Sequence, residues 1–313
     1  MNNKPIKYAY SLAGIITLIN LVFIILFSLL WQNNSTHILI KLAYYLLCSV
    51  FSSVIISIFV ISTAPVLKDF LATFRQLLRL ENLSHPLMLK LSLEAPGTYH
   101  HSLSVANIAS RAAKAIGADP LLTRVGSYYH DIGKTLNPEY FIENQKEGAN
   151  PHDEIQDPKK SFEILQNHVC EGIKLAQEYH IPNEVIAFIA EHQGTQLSFF
   201  YNIAFEKNKK TKKADYRYNG PKPLSKESAI VMMADTIEAK VRLLNKVNLP
   251  NIRNIINETV DEKIADNQFD LSGLTLKDIE KIKNSFTDTL SVMYHQRIEY
   301  KNGFKTNFKE LGK

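Results

Sequence analysis

The sequence predicts an all-α protein in which two membrane-spanning helices precede a bundle of helices. Two apolar runs near the start are each long enough to cross a bilayer as a helix. From about residue 86 onward, apolar residues recur at intervals of three and four, whereas stretches that alternate like a strand are scarce. Pro and Gly cluster between these segments, which is typical of the turns between helices.

The two apolar runs cover residues 8–31 and 42–62. A cleaved signal peptide is the competing interpretation of the first run, but the run is too long and no small-residue cleavage site precedes the second. Lysines and arginines lie before the first run and after the second, whereas only Lys41 lies between them. The positive-inside rule therefore predicts a multi-pass protein of the cell membrane with both ends in the cytoplasm. The aromatic residues expected to anchor the first helix in the bilayer interface are Tyr8, Tyr10 and Trp31.

The chain is expected to have three regions. Residues 1–65 hold the two membrane helices, residues 66–93 form amphipathic linker helices with apolar residues at helical spacing, and residues 94–313 form the cytoplasmic helical domain. The segment 135–160 carries several Pro and Gly residues and is expected to be a long loop, of the kind that often serves function. The helices expected beyond residue 85 are 86–93, 99–116, 120–130, 161–179, 182–192, 225–246, 251–267 and 275–300.

Composition indicates a reducing compartment and gives no sign of a nucleic-acid partner. The two cysteines, Cys48 and Cys170, lie in different regions, so they imply no disulfide framework and agree with a reducing cytoplasm. The formal charge of +5 reflects in part a lysine cluster within residues 207–213. No aromatic residues interleave with these lysines, so a solvated loop is favoured and no nucleic-acid polymer is expected as a partner.

The run YYHDIGK at residues 128–134 is the strongest chemical signal. It places the imidazole of His130 beside the carboxylate of Asp131, where a helix runs into a glycine turn. Adjacent helical residues point about 100° apart, so the pair can embrace two ions. Imidazole suits first-row transition metals, and a carboxylate with two oxygens can bridge two of them. A lone His-Asp pair is more often a surface feature than a metal site. The positions of the other histidines therefore determine whether a metal site is predicted.

Three further histidines and one aspartate lie on the apolar faces of other predicted helices. Singly, each is better explained as a satisfied core residue. Together they are best explained as convergence on cations, because a carboxylate that faces a core without a partner is costly. These residues are His101, His168, His192 and Asp235.

The order of these residues on successive helices resembles the HD phosphohydrolase superfamily. Longer motifs are similar to the seven-transmembrane HD family of PgpH-type cyclic di-AMP phosphodiesterases, and the resemblance covers about residues 40–300. It implies an HD-domain helical bundle. The motifs are EAPGTYHHS at 94–102, YHDIGK at 129–134, FIENQ at 141–145, NPHD at 150–153, EHQGT at 191–195 and YRYNGPKP at 216–223.

The resemblance implies two bridged divalent ions, manganese or iron, with Asp131 between them. His101, His130 and Asp235 are expected around one ion, and His168, His192 and the residue after it, Gln193, around the other. The family usually has a histidine where this chain has Gln193, and an amide is the weaker ligand. The family also has seven spans and an extracytoplasmic sensor, whereas two spans are predicted here, so the chain is a short member or a C-terminal fragment.

The expected activity is hydrolysis of a cyclic dinucleotide, most simply cyclic di-AMP, in a membrane-anchored catalytic domain that faces the cytoplasm. Two ions would lower the pKa of a bridging water and clamp the phosphodiester oxygens. Asp131 and Lys134 are the expected catalytic residues, and Lys134 is also a candidate phosphate contact. For Lys134 a solvated lysine, and for Asn150 and His152 a loop-stabilising turn, are the competing interpretations. The candidate substrate-binding residues are His100, Lys134, Asn150 and His152.

Three other functions stay open at this level. A cyclic di-GMP phosphodiesterase of the related HD-GYP type should carry Gly-Tyr-Pro after the late histidine, but Gly194-Thr-Gln-Leu-Ser follows instead. A mononucleotide nucleotidase shares the metal core. A catalytically silent nucleotide-binding module would explain Gln193, although the remaining ligand positions are intact. The sequence leaves the oligomeric state open, a homodimer included.

Overall fold

The computed structural model describes residues 14–26, 38–145, 150–244 and 247–294. Most of these residues are helical, with one isolated antiparallel bridge between Leu197 and Arg217 and no strand among them. The all-α prediction is therefore confirmed. By its internal contacts the chain divides into two compact units, residues 1–76 and 77–313.

Among its described residues, the first unit contains α1 (Gly14–Leu26) and all but the last turn of α2 (Ile38–Leu80). Within α2, the stretch Ala43–Leu80 is the one among the described helices that is long and apolar enough to cross a membrane. Ser52 Oγ of α2 accepts a hydrogen bond from Asn20 Nδ2 of α1 at 3.5 Å. The ends of the predicted first span lie outside the described residues, together with Tyr8, Tyr10 and Trp31, so the two-span arrangement stays a prediction.

Helix α2 does not end at the predicted border after residue 65. Pro65 lies inside it, and the predicted amphipathic segment continues the same helix to Leu80. A proline removes one backbone hydrogen bond without ending a helix whose remaining bonds hold. The units divide after residue 76 because Leu77, Leu80 and the following helix are buried in the core of the second unit. The expected linker 66–93 is thus shared between the two units.

The described part of the second unit contains ten further α-helices. The predicted helices are found at their places, with most ends within three residues of the prediction, and the end of the predicted helix 275–300 lies outside the described residues. The short helices α6 and α9 were not predicted. The bounds are α3 (Pro86–Glu94), α4 (Pro96–Ile116), α5 (Pro120–Tyr129), α6 (Pro151–Ile155), α7 (Pro158–Glu178), α8 (Asn183–Glu191), α9 (Phe200–Lys207), α10 (Lys226–Arg242), α11 (Leu249–Ala265) and α12 (Leu276–Met293).

Local sequence fixes where these helices begin. Asp119 and Asp157 accept hydrogen bonds from the first backbone N–H groups of α5 and α7, and a proline follows each of them. Thr275 forms a capping box with Asp278 at the start of α12. A side-chain cap satisfies an otherwise unpaired donor, and proline at the first position loses nothing because its N–H would have no partner there. Caps of this kind contribute about 1 kcal/mol each.

Helix α4 is the central helix of the second unit and packs against α5, α10 and α12. Val105 and Ile108 of α4 are fully buried in the largest apolar cluster, together with Ile230 of α10 and Phe286 of α12. Full burial of such a side chain stabilises the fold by about 1.5–3 kcal/mol. This cluster therefore fixes α4 and α10 against each other, and these two helices carry His101 and Asp235.

A close backbone approach joins the turn after α5 to α7. A Cβ atom added at Gly133 would lie 1.9 Å from the carbonyl oxygen of His168 and 2.6 Å from the backbone nitrogen of Gly172. Only glycine fits there. The two glycines let the His130-Asp131 turn press directly onto α7, which brings His168 to the same place.

The predicted long loop 135–160 is largely folded. It contains three-residue 3-10 turns at Pro138–Tyr140 and Ile142–Asn144 and the short helix α6, while residues 146–149 lie outside the described part. The Asn144 side chain accepts a hydrogen bond from the backbone N–H of Thr98 and donates one to the Thr98 hydroxyl, at 3.1 and 2.9 Å. The segment is thereby pinned to the first turn of α4, as a cover over the helix bundle.

Candidate metal centre

Six side chains from five helices and one turn converge in the core of the second unit. His101 lies on α4, His130 ends α5, and Asp131 begins the turn that follows. The aspartate of α10 is half-buried, and the other five residues are at most 4% exposed. The six residues are His101, His130, Asp131, His168, His192 and Asp235.

The side chains form two sets of possible metal ligands. His101, His130, Asp131 and Asp235 offer ligand atoms that all lie within 4.8 Å of one another, and so do Asp131, His168 and His192. Asp131 belongs to both sets. Its Oδ2 lies 3.2 Å from His130 Nε2, and its Oδ1 lies 3.4 Å from the Nε2 atoms of His168 and His192. The carboxylate therefore presents one oxygen to each set.

Hydrogen bonds at the far side of each ring fix the histidine tautomers. A backbone carbonyl only accepts, so a ring nitrogen bonded to one must carry the proton, and the other ring nitrogen then presents a lone pair. In the neutral form of each ring, which metal binding requires, the three Nε2 atoms therefore face the centre as lone pairs. The bonds run from Nδ1 of His130 to Ser127 O at 2.7 Å, from Nδ1 of His168 to Leu165 O at 2.5 Å, and from Nδ1 of His192 to Ile189 O at 2.9 Å.

This arrangement needs positive charge at its middle. The Nε2 atoms of His168 and His192 lie only 3.1 Å apart with their lone pairs converging. His130 Nε2 and both carboxylate oxygens of Asp131 are buried and have no hydrogen-bond partner among the described residues. Burying carboxylate oxygens without hydrogen-bond donors is costly, and the ion pair with Lys134 engages only one of the two oxygens of Asp131. A metal ion bound by these atoms would offset that cost. The residues thus fit a pair of divalent cations.

The pKa shifts agree with a centre that attracts cations. Burial lowers the pKa of His168 to about 3, so this ring is neutral and ready to bind metal. Burial also disfavours charge on His101 and His130, but the carboxylates beside them outweigh it and raise the pKa of these rings to about 9 and about 10. The charges of His130 and Lys134 overcome burial and hold the pKa of Asp131 well below its usual range. Metal ions and protons therefore compete for the ring nitrogens of His101 and His130.

Lys134 lies inside the centre and not on a solvated surface. Its ammonium forms an ion pair with Asp131 Oδ2 at 2.7 Å and donates a hydrogen bond to Glu143 Oε1 at 2.8 Å. Glu143 also accepts a hydrogen bond from the Thr98 hydroxyl at 3.0 Å. The interpretation of Lys134 as a solvated lysine is excluded, because its side chain is only 12% exposed.

Glu238 is a residue of the site that the sequence reasoning missed. Its Oε2 accepts the Nδ1–H of His101 at 2.5 Å, and its Oε1 accepts hydrogen bonds from the guanidinium of Arg242 at 2.6 and 3.2 Å. Glu238 lies one turn after Asp235 on α10 and is 1% exposed. The signal for it was present in the sequence, since an acidic residue three positions after a ligand shares the ligand's helix face.

Glu191 is a second residue that was missed, and it holds the end of α8 in place. Its buried Oε2 accepts hydrogen bonds from the backbone N–H of Leu224 at 2.9 Å and from the Ser228 hydroxyl at 2.5 Å. Because His192 follows directly, these bonds set the position of that ring against the start of α10.

The remaining candidate residues lie outside the two ligand sets. His100 is exposed, and its ring packs against that of Tyr99. Asn150 caps α6, where its side chain accepts the N–H of His152 at 3.1 Å. The backbone carbonyl of Gln193 accepts a hydrogen bond from Gln196 Nε2 at 2.9 Å, and its amide side chain makes none to the described residues. The roles assigned to these residues stay predictions.

His152 lines a cavity of about 390 Å³ beside the covering segment. Its Nε2 donates to the carbonyl of Tyr140 at 3.0 Å, which leaves Nδ1 as a buried acceptor without a partner among the described residues. Phe199 and Phe200 form an aromatic wall of the same cavity. The next residue after Tyr140, Phe141, makes an edge-to-face ring contact with His168, so the segment that binds His152 also contacts a residue of the metal centre.

The chain is similar to proteins that contain an HD domain. Residues 98–240 match the model of the HD domain. The chain is 42% identical over 94% of its length to the cyclic-di-AMP phosphodiesterase PgpH of Listeria monocytogenes (strain 10403S), and 39% identical over 93% to that of Bacillus subtilis (strain 168). It spans 41% of the length of each of these relatives.

A solved structure is similar to a large part of this chain. The crystal structure of the L. monocytogenes PgpH HD domain in complex with cyclic di-AMP has 45% sequence identity to this chain and a TM-score of 0.66. The match covers 69% of this chain and 100% of that domain.

The two ligand sets should lose metal independently. We expect the full chain to bind two Mn²⁺ ions, Asp235→Ala and His168→Ala to bind one each, and Asp131→Ala to bind neither, since Asp131 belongs to both sets. Metal analysis of the purified proteins measures this, with circular dichroism to confirm that the helices are kept. His100→Ala is the matched control and should bind two ions, because His100 is exposed. Two ions bound to Asp131→Ala would show that the ligand sets are wrongly assigned.

Proposed function

This chain belongs to the HD-domain family and carries an HD domain of the PgpH type, and on that premise we propose that it is a metal-dependent phosphodiesterase that hydrolyses cyclic di-AMP. The observation that carries the proposal is the pair of ligand sets that share Asp131. Such a pair is the arrangement that two-metal phosphodiester hydrolysis requires. The complex of cyclic di-AMP with the similar HD domain supports this substrate over other nucleotides.

The residues fit two ions of the first transition series, and we propose manganese or iron. Imidazole nitrogens dominate both sets, with carboxylate oxygens between them, which favours such metals over calcium or magnesium. Ions bound there supply a water of lowered pKa and a clamp for the phosphate oxygens. In the reaction, a water oxygen bonds to phosphorus, the bond from phosphorus to the 3′ oxygen breaks, and that oxygen leaves with a proton.

Lys134 is suited to contact the phosphate. An ammonium has three donors, of which one is used on Glu143, and the ion pair with Asp131 holds its charge beside the metal centre. A remaining donor is available to a phosphate oxygen, and these two contacts hold the ammonium in position before substrate arrives. Glu143 acts through Lys134, because its own position is set by the Thr98 hydroxyl.

The cavity lined by His152 is suited to one base of the dinucleotide. An adenine can stack on the aromatic wall of Phe199 and Phe200 and donate its amino group to the buried Nδ1 of His152. The cavity volume of about 390 Å³ is ample for a base. In this proposal Asn150 holds His152 by capping α6, so it supports binding indirectly.

The test is hydrolysis of cyclic di-AMP by the purified full chain in detergent with Mn²⁺. We expect the linear dinucleotide as product, and a rate for Asp131→Asn below roughly 1% of the parental rate, because both ions lose a ligand. Liquid chromatography of the products measures both. Glu163→Gln is the control, since Glu163 lies on α7 with His168 but points to solvent. A parent protein with two bound ions and no hydrolysis would overturn the proposal.

Substitution of Gln193 distinguishes an active phosphodiesterase from a catalytically silent nucleotide-binding module. If its amide is a weak ligand of the His168 set, activity should rise steeply with added Mn²⁺, and Gln193→His should raise turnover most at low metal because imidazole binds these ions more tightly. At saturating Mn²⁺ the two proteins should differ little. Titrations of activity against Mn²⁺ for both proteins measure this. Cyclic di-AMP binding without hydrolysis in either protein, at every Mn²⁺ concentration, would favour the binding module.

We further propose that α1 and α2 belong to two membrane spans and that the HD domain faces the cytoplasm. The charge distribution around the two apolar runs supports this orientation. A fluorescent protein fused after Lys313 should therefore fluoresce in the cytoplasm, and an alkaline phosphatase fused there should be inactive. Active phosphatase at that position would contradict the orientation.

A further inference from the structure

The four histidines of the metal centre differ in what holds them. His130, His168 and His192 donate Nδ1–H to neutral backbone carbonyls of their own helices. His101 donates to the carboxylate of Glu238 at 2.5 Å, across from α4 to α10. A carboxylate partner makes an imidazole more basic and a stronger metal ligand than a neutral carbonyl partner does. The His101 ring is thus the electronically favoured ligand of the four.

Glu238 is itself fixed by a charged partner at the protein surface. Its side chain is 1% exposed, and the guanidinium of Arg242, whose side chain is 37% exposed, donates to Oε1 through both Nε and Nη2. A buried carboxylate is tolerated only when its oxygens are satisfied, and here each oxygen has a donor. Arg242, Glu238 and His101 form a hydrogen-bonded line from the surface to the metal centre.

The two ligand sets are also unequal in number and charge. The set that contains His101 offers two carboxylates and two imidazoles, whereas the other offers the shared Asp131 and two imidazoles. Two negative ligands and a charged supporting group attract a divalent cation more strongly than one negative ligand and neutral carbonyls do. The carboxylate partner of His101 and the additional carboxylate ligand therefore both favour the ion bound by the set that contains His101.

We propose that Glu238 is a positioning residue that makes the His101 position the tighter of the two ion positions, and that Arg242 holds Glu238 in place for this purpose. The inference rests on the proposed two-metal centre. Supporting groups of this kind contribute about 10- to 100-fold to metal affinity.

The experiment is a titration of the metal-free full chain in detergent with Mn²⁺, in which the electron paramagnetic resonance signal of the free ion reports binding. The parent should bind two ions in two steps, and His168→Ala should keep only the tighter step. Glu238→Gln should weaken the tighter step by about 10-fold or more and leave the weaker step unchanged. In the His168→Ala background, Glu238→Gln should weaken the single remaining step to the same extent.

Two surface substitutions on the same helix test the role of Arg242. Arg242→Met should also weaken the tighter step, but by a smaller factor than Glu238→Gln does. The reason is that Glu238 keeps its charge and loses only the hydrogen bonds from Arg242. Lys240→Met is the matched control, since Lys240 pairs with Glu262 on the surface and should leave both steps as they are. An unchanged tighter step in Arg242→Met would overturn the role of Arg242.

A merely structural role of Glu238 predicts a different pattern. It would lower the melting temperature of the metal-free protein and weaken both steps alike, and either that result or two unchanged steps in Glu238→Gln would overturn the proposal. The titration needs no substrate. A chain that binds two ions with the expected selectivity but does not hydrolyse cyclic di-AMP would therefore contradict the proposed function and leave this inference standing.

Discussion

A single buried carboxylate, that of Asp131, is the constraint on which the rest of the site depends. Its two oxygens serve two ligand sets, so every ligand helix must approach it to within a few ångströms. The turn after α5 reaches α7 because its backbone packs directly against that helix at Gly133. A side chain at Gly133 would collide with the backbone of His168. The cost of burying the charge is offset by Lys134 and by the cations that the site attracts.

The surroundings of the ligands are as ordered as the ligands themselves. Three rings are locked by carbonyls of their own helices, so their tautomers follow from helix geometry alone. His101 depends instead on Glu238 of another helix and thus on the packing of α4 against α10. Glu191 similarly ties the ring of His192 to the start of α10. Helix α10 is therefore the element through which packing of the core sets the metal centre.

Much of the fold was predictable because its signals are local. Proline and a capping side chain mark the starts of α5 and α7, and the apolar periodicity gives their extents. The predicted border at Pro65 was not a helix end, since a single proline does not break a helix of this length. The short helices α6 and α9 escaped prediction because a helix of one or two turns has too few residues to show a period.

The sequence by itself predicted which residues converge, because several histidines and an aspartate on the apolar faces of separate helices are together best explained by shared cations. His101, His168 and Asp235 could be named in this way before any coordinates. Only the tertiary structure decided which oxygen of Asp131 faces which set, and that Glu238 and Arg242 stand behind His101. Those facts depend on distances between helices far apart in the chain, and such distances follow from packing and not from periodicity.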